Sequence, residues 1–174
     1  MKANKNTVKL TVTAILAALV VLLDYIGLKI PFPWMPLLKF DITGVPIAIA
    51  TLLFGVVSGG LTSIIAFLSI VARSGNYIGG YMKAIAEFST VIGFGTTKYM
   101  PDRFRRVGPI IIAIILRVLF MTVANMWVMP NVYMIPWEAT LSMLPMIGVF
   151  NALQGLITTG LGTIIYERLR VILN

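Results

Sequence analysis

Long apolar runs constrain this chain more than any other feature of it. The first runs from Leu10 through Leu28, and others follow at short intervals to near Arg168. A helix crossing the bilayer needs about 20 such residues. Reading by these runs predicts helices near 8–28, 42–57, 60–72, 82–99, 108–129 and 140–168, the second and third parted only by Ser58-Gly59-Gly60. Charged residues make up 11% of the chain, whereas a soluble domain carries roughly a quarter. The expectation is an all-α polytopic membrane protein with six transmembrane helices, residues 1–174 forming a single integral membrane domain. Lys2, Lys5 and Lys9 before the first run resemble the start of a signal peptide. The run is long, and no small-x-small cleavage site follows it, so it reads as a retained first helix.

The net charge is +8, a balance that in a soluble protein suggests nucleic acid. Here the cations gather at the ends of apolar runs, the pattern of membrane topology, and no nucleic-acid partner is expected. Lys2, Lys5, Lys9, Lys98, Arg103, Arg105, Arg106, Arg168 and Arg170 fall on one side, nine of the 14 basic residues. Lys29, Lys39 and Arg73 fall on the other, with Lys83 just inside the fourth helix and Arg117 within the fifth. The positive-inside rule then puts both termini in the cytoplasm. With no Cys and no His, the chain lacks thiolate chemistry, the commonest zinc ligands and the usual general base at neutral pH. No paired-carboxylate arrangement is visible either, so an enzyme, a metal site and a bound cofactor are all unexpected.

The outer connections look specialised. Lys29-Ile-Pro-Phe-Pro-Trp-Met-Pro-Leu-Leu-Lys39 holds three prolines, which fix backbone φ and predict a stiff, extended segment. It reads either as an interfacial anchor with Trp34 at headgroup level or as a preordered lid over an outward-facing pocket. Asn131-Val-Tyr-Met-Ile-Pro-Trp137 is a second aromatic loop, and Arg73-Ser-Gly-Asn-Tyr-Ile-Gly-Gly80 a third, flexible one. Together they suggest a binding mouth.

Polar residues inside the spans point to the same end. Asn151 and Gln154 lie one turn apart on one helical face, and unpaired amides are costly in hydrocarbon. Asn125 in the outer third of the fifth helix makes a third amide at comparable depth. Three amides beneath aromatic loops suit a planar heterocycle with amide or imide edges, although amides also join helices. Lys83 and Glu87 are spaced for an i,i+4 ion pair, and Arg117 cannot easily reach either surface, so an Arg117–Glu87 pair is the plain expectation. Ala14-Ile-Leu-Ala17-Ala18 and Gly55-Val-Val-Ser-Gly59 place small residues one turn apart on helices one and two, which lets helices approach closely.

These residues resemble a known family. A short six-helix chain with Ala14 and Ala18 on helix one is similar to the substrate-binding S components of energy-coupling-factor (ECF) vitamin transporters, and most similar to the riboflavin-specific members. The resemblance rests on Pro31-Phe-Pro-Trp-Met-Pro-Leu-Leu-Lys-Phe-Asp41 with Val45-Pro46 and Leu53-Phe54-Gly55. On helix five it rests on Asn125 with Pro130, and on helix six on Phe150-Asn151, Gly155 and Tyr166-Glu167-Arg168-Leu169. Riboflavin members usually carry Lys where this chain has Gln154; Lys only donates, whereas Gln both donates and accepts.

The resemblance implies a cell-membrane vitamin-binding subunit with an outward pocket built by the first outer loop and helices four to six. The candidate substrate-binding set is Trp34, Leu38, Phe40 and Asp41 from that loop, with Asn76, Tyr77, Glu87, Asn125, Asn151 and Gln154. Ala14 and Ala18 are candidates for docking a partner. The implied partners are riboflavin or a related vitamin, a transmembrane scaffold subunit, two cytoplasmic ATPases and the lipid bilayer. The chain has no Gly-x-x-x-x-Gly-Lys-Ser/Thr loop of its own. Other ligands, such as pantothenate, thiamine or a queuosine precursor, stay open, as does a membrane assembly protein whose amides only join helices.

Overall fold

The structure is a computed structural model and describes residues 4–173. Lys2, counted above on the N-terminal flank, lies outside them. Six helices carry the fold: α1 Lys5–Ile26, α2 Gly44–Phe54, α3 Val56–Ser74, α4 Tyr77–Gly95, α5 Gly108–Asn131 and α6 Trp137–Leu173. A hairpin of β1 Ile30–Phe32 and β2 Met35–Phe40 joins α1 to α2, and a 3₁₀ turn, Thr96–Tyr99, ends α4.

Local chemistry explains most of the boundaries. The Asn4 side chain caps α1, and Gly27 closes it at φ 71°, a left-handed conformation natural to glycine. Asn76 caps α4 by accepting from the Gly79 amide at 2.7 Å. The segment 73–80, expected as a flexible loop, is therefore nearly all helix, with only Gly75 and Asn76 between α3 and α4. α4 starts at Tyr77 rather than near 82, and α6 spans 37 residues rather than ending near 168.

The break between the second and third helices falls at Gly55, not at Ser58-Gly59-Gly60. Gly55 holds φ 89°, which side-chain-bearing residues rarely adopt. Gly59 lies inside α3, pressed so closely on Thr51 of α2 that a Cβ would collide with the Thr51 hydroxyl. Gly55 and Gly59 thus do not form a strip on one helix. The consequence is a short α2 of 11 residues, about 16 Å long and less than a full span. Four helices, α1, α3, α5 and α6, are long and apolar enough to cross a membrane.

This short helix is the centre of the molecule. It touches α1, α3, α4 and α6, and all of Gly44–Thr51 is buried. Val20, Ile47, Ala66 and Val91 make one apolar cluster across α1–α4, and Leu16, Val45, Ile49 and Ala50 another. Glycines permit the closest approaches: Gly93 of α4 lies directly on the Ala113 backbone of α5. Among the described residues, 18 apolar side chains are buried and so are 18 polar or charged ones. Meanwhile Ile15, Leu19, Leu119, Phe120, Val123 and Ile164 face outward. Water would not sustain that distribution, and a hydrocarbon surround does.

The expected stiff loop is the hairpin. Ile30 pairs with Phe40, Pro31 with Lys39 and Phe32 with Met35, so residues 36–38 bulge out of register. Pro36 cannot donate to a ladder and falls in the bulge, where a donor is not needed. Phe32 anchors the hairpin to the bundle. It is fully buried, with ring centroids 5.1 Å from Trp34, 5.6 Å from Phe40 and 5.6 Å from Phe150 of α6. Such pairs contribute about 0.5–1.5 kcal/mol each beyond their buried area.

Candidate functional site

Beneath the hairpin lies a cavity of about 530 Å³, within the range of about 300–1,000 Å³ usual for small-molecule sites. Its walls come from stripes with helical spacing. α5 presents Arg117, Met121, Asn125 and Met129, four positions at successive i,i+4 steps. From α6 come Ile147, Phe150, Asn151 and Gln154, and from α4 Asn76, Gly79, Met82, Lys83 and Ala86. β2 supplies Met35, Leu37, Leu38 and Lys39 from above, and the α5–α6 connection adds Tyr133 and Ile135.

The floor is a chain of four charges. Lys83 Nζ donates to Asp41 Oδ1 at 2.7 Å and Oδ2 at 3.0 Å, and pairs with Glu87 Oε1 at 2.9 Å. Arg117 Nη1 meets the same Glu87 oxygen at 3.1 Å and also reaches Thr90 Oγ1 at 3.3 Å. Both the i,i+4 pair expected from spacing and the Arg117–Glu87 pair expected from the depth of Arg117 are present. Glu87 is completely buried, and a Cβ on Gly44 would come within 2.6 Å of its second oxygen. Glycine at the start of α2 therefore makes room for the carboxylate. Two anions and two cations sum to zero.

Asp41 joins the hairpin to α2. Its carboxylate also accepts from the Thr43 amide at 3.0 Å and the Thr43 hydroxyl at 2.6 Å. Burial alone would raise this carboxyl, but the Lys83 ammonium, together with those hydrogen bonds, brings it from 3.8 to about 2. Gln154 holds the backbone of the same residue: Nε2 donates to Asp41 O at 2.7 Å, and Oε1 accepts from Asp41 N at 3.2 Å. Only a side chain that both donates and accepts can do this, so Gln154 makes a clamp that Lys in its place would not.

Asn151 is placed differently. Its Nδ2 donates to Ile147 O one turn back at 2.9 Å, and its Oδ1 is buried without a partner. Arg117 Nε is also buried and unpartnered. Asn125 Nδ2 donates to Met121 O at 2.7 Å.

Of the residues singled out from sequence, Leu38, Asp41, Asn76, Asn125, Asn151 and Gln154 come together around the cavity. Glu87 lies behind the floor, bound to two residues that line it. Phe40 stands behind the wall, its ring 5.0 Å from that of Phe150. Trp34 and Tyr77 point away, 69% and 66% exposed. Ala14 and Ala18 lie exposed on α1 rather than packed against helices of the same chain. Sequence reasoning passed over Met121 and Met129, although their four-residue spacing from Asn125 would have found them. It also passed over Asp24, buried near the end of α1 and paired with Lys29 at 3.1 Å and Arg73 at 2.9 Å.

The family model described as "ECF transporter, substrate-specific component" matches residues 8–166. No curated protein matches the chain. A solved structure described as "Structure and mechanism of the S component of a bacterial ECF transporter" superimposes with a TM-score of 0.85 and 23% identity, covering 98% of this chain and 99% of that one. At that identity the likeness is one of fold. A family match over nearly the whole length, on a bundle with a polar-floored cavity under a hairpin, identifies the chain: it belongs to the substrate-specific components of ECF transporters, and is a substrate-binding integral membrane subunit that works with an ECF module, not an enzyme.

Proposed function

We propose that this subunit binds riboflavin on the outer side of the cell membrane, with both termini in the cytoplasm, and hands it to a transmembrane scaffold driven by two cytoplasmic ATPases. The observation that carries the ligand class is the charge balance of the cavity floor. Among the described residues, Asp41, Lys83, Glu87 and Arg117 are spent on one another, so a carboxylate such as that of pantothenate finds no unpaired buried cation, the remaining cation of the lining, Lys39, being exposed. The cation of thiamine likewise finds no free buried anion. A neutral ligand recognised through amides fits instead, and the Asn125 and Asn151 side chains lie in the wall to do it. Met121, Met129, Leu38 and Phe150 offer apolar surface to the faces of a flat ring system, and thioethers suit aromatic rings. Candidate contact residues are Leu38, Asn76, Asn125 and Asn151. Asp41, Glu87 and Gln154 hold the floor and the lid hinge, while Phe40 and Trp34 brace the hairpin from outside.

The test is to purify the chain in detergent and record its visible absorption. A yellow preparation that releases a flavin on denaturation is the expected result. A colourless preparation that fails to quench added riboflavin, yet binds a queuosine-type precursor or another neutral heterocycle, would replace the ligand and keep the class. Saturable binding of pantothenate or thiamine instead would sink the charge-balance argument.

A further inference from the structure

A second cavity, of about 850 Å³, lies at the opposite end of the bundle. It is bounded by the α2–α3 break at Gly55, the 3₁₀ turn, the α4–α5 connection and the last turns of α6, and it shares no residue with the first. Along α6, Arg170 is 16 residues past Gln154, about 24 Å along the axis. The two cavities sit at different membrane surfaces.

Its lining is two-sided. Lys98, Arg105, Arg106 and Arg170 line it against Asp102 and Glu167. Arg105 is paired with Asp102 at 2.9 Å and Arg106 with Glu167 at 3.1 Å. Among the described residues, Lys98 and Arg170 have no ion pair, leaving a surplus of two positive charges. The facing wall is apolar, from Leu52, Phe54, Val56, Val57 and Phe94. At the Gly55 break a Cβ would meet nothing within 4 Å, so the backbone there borders open space where the two walls meet.

We propose that this cavity holds the phosphate headgroup of an anionic phospholipid, with the cations on the phosphate and the apolar wall along the first methylenes of an acyl chain. Basic pockets between membrane helices on the cytoplasmic side bind such headgroups, and this is the end where the chain's basic residues gather. A soluble anion would use the cations and leave the apolar wall in water. A lipid uses both. The site is independent of the substrate, because no residue of the first cavity takes part.

The test is native mass spectrometry of the purified chain with phosphatidylglycerol and phosphatidylcholine in equal amounts. Wild-type protein should retain phosphatidylglycerol in preference. Each neutralised cation should weaken that retention about fivefold, so that Lys98→Gln with Arg170→Gln lowers it about 25-fold, with substrate binding unchanged. The wild-type competition stands alone if the double variant fails to accumulate. Equal retention of the two lipids would overturn the proposal, as would a folded double variant that holds phosphatidylglycerol like wild type. Displacement of the lipid by millimolar inorganic phosphate would assign the cavity to a soluble anion. If the double variant lost its ECF module while keeping the lipid preference, the cavity would belong to a partner protein.

Discussion

Replacing Asn151 with Leu should strengthen the empty protein and weaken its hold on substrate. Asn151 is 1% exposed, its Nδ2 satisfied by Ile147 O and its Oδ1 by nothing. A buried acceptor without a partner costs about 1–3 kcal/mol. The Nδ2 bond returns little, because Ile147 O already serves the helix ladder, so about 0.5 kcal/mol is a fair allowance for it. Leu has the branching of Asn and no polar atom, and its greater bulk can enter the empty cavity that Asn151 lines, so Asn151→Leu should raise stability by about 0.5–2.5 kcal/mol. If Oδ1 accepts from the ligand, the same change removes a bond at a desolvated site, and affinity should fall by about 5- to 150-fold, equivalent to about 1–3 kcal/mol. Thermal unfolding in detergent without ligand, beside a ligand titration, reads both quantities. Gln154→Ala is the contrast: it removes two bonds to the Asp41 backbone and should lower stability and affinity together. An Asn151→Leu variant that loses stability, or binds ligand as wild type does, would refute the assignment of Oδ1 to the substrate.

Three further outcomes follow from the geometry. Arg117→Met leaves Glu87 buried beside Lys83 alone, which already serves Asp41; breaking such a pair costs about 3–5 kcal/mol, so membrane abundance should collapse, and adding Glu87→Gln should restore much of it. Asp41 is held at about 2 against an ordinary 3.8; a lowered carboxyl contributes stability that is complete above its unfolded value and lost as pH falls through the folded one. Ligand affinity should therefore be flat from about pH 8 to about pH 5 as far as Asp41 governs it, and a loss centred near pH 5 would show that its link to Lys83 is not kept. Ala14→Trp or Ala18→Trp should abolish uptake and leave ligand affinity and abundance unchanged, because both residues are exposed on α1 and far from the cavity wall; parallel loss of abundance would show that the strip packs within the chain.

Much of this protein was legible before any coordinates. Apolar run length alone determines that the chain belongs in a bilayer, since lipid demands that each backbone group be satisfied within a helix. Helical spacing alone pairs Lys83 with Glu87 and gathers Asn151 with Gln154, because contacts one turn apart depend only on the local 3.6-residue repeat. What stayed hidden depends on partners remote in sequence. Gln154 reads as a ligand-facing amide until Asp41, 113 positions away, is found in its grip. Trp34 reads as a substrate-binding residue of the lid, but with Phe32 buried beneath the hairpin Trp34 is left exposed, and it is Leu38 that lines the cavity. Two glycine sites compete locally to end the second helix, and the close contact of Gly59 with Thr51 settles the break at Gly55. Periodicity is a property of a single helix, whereas a cavity is the space several helices leave between them, and only their packing decides which side chains share it.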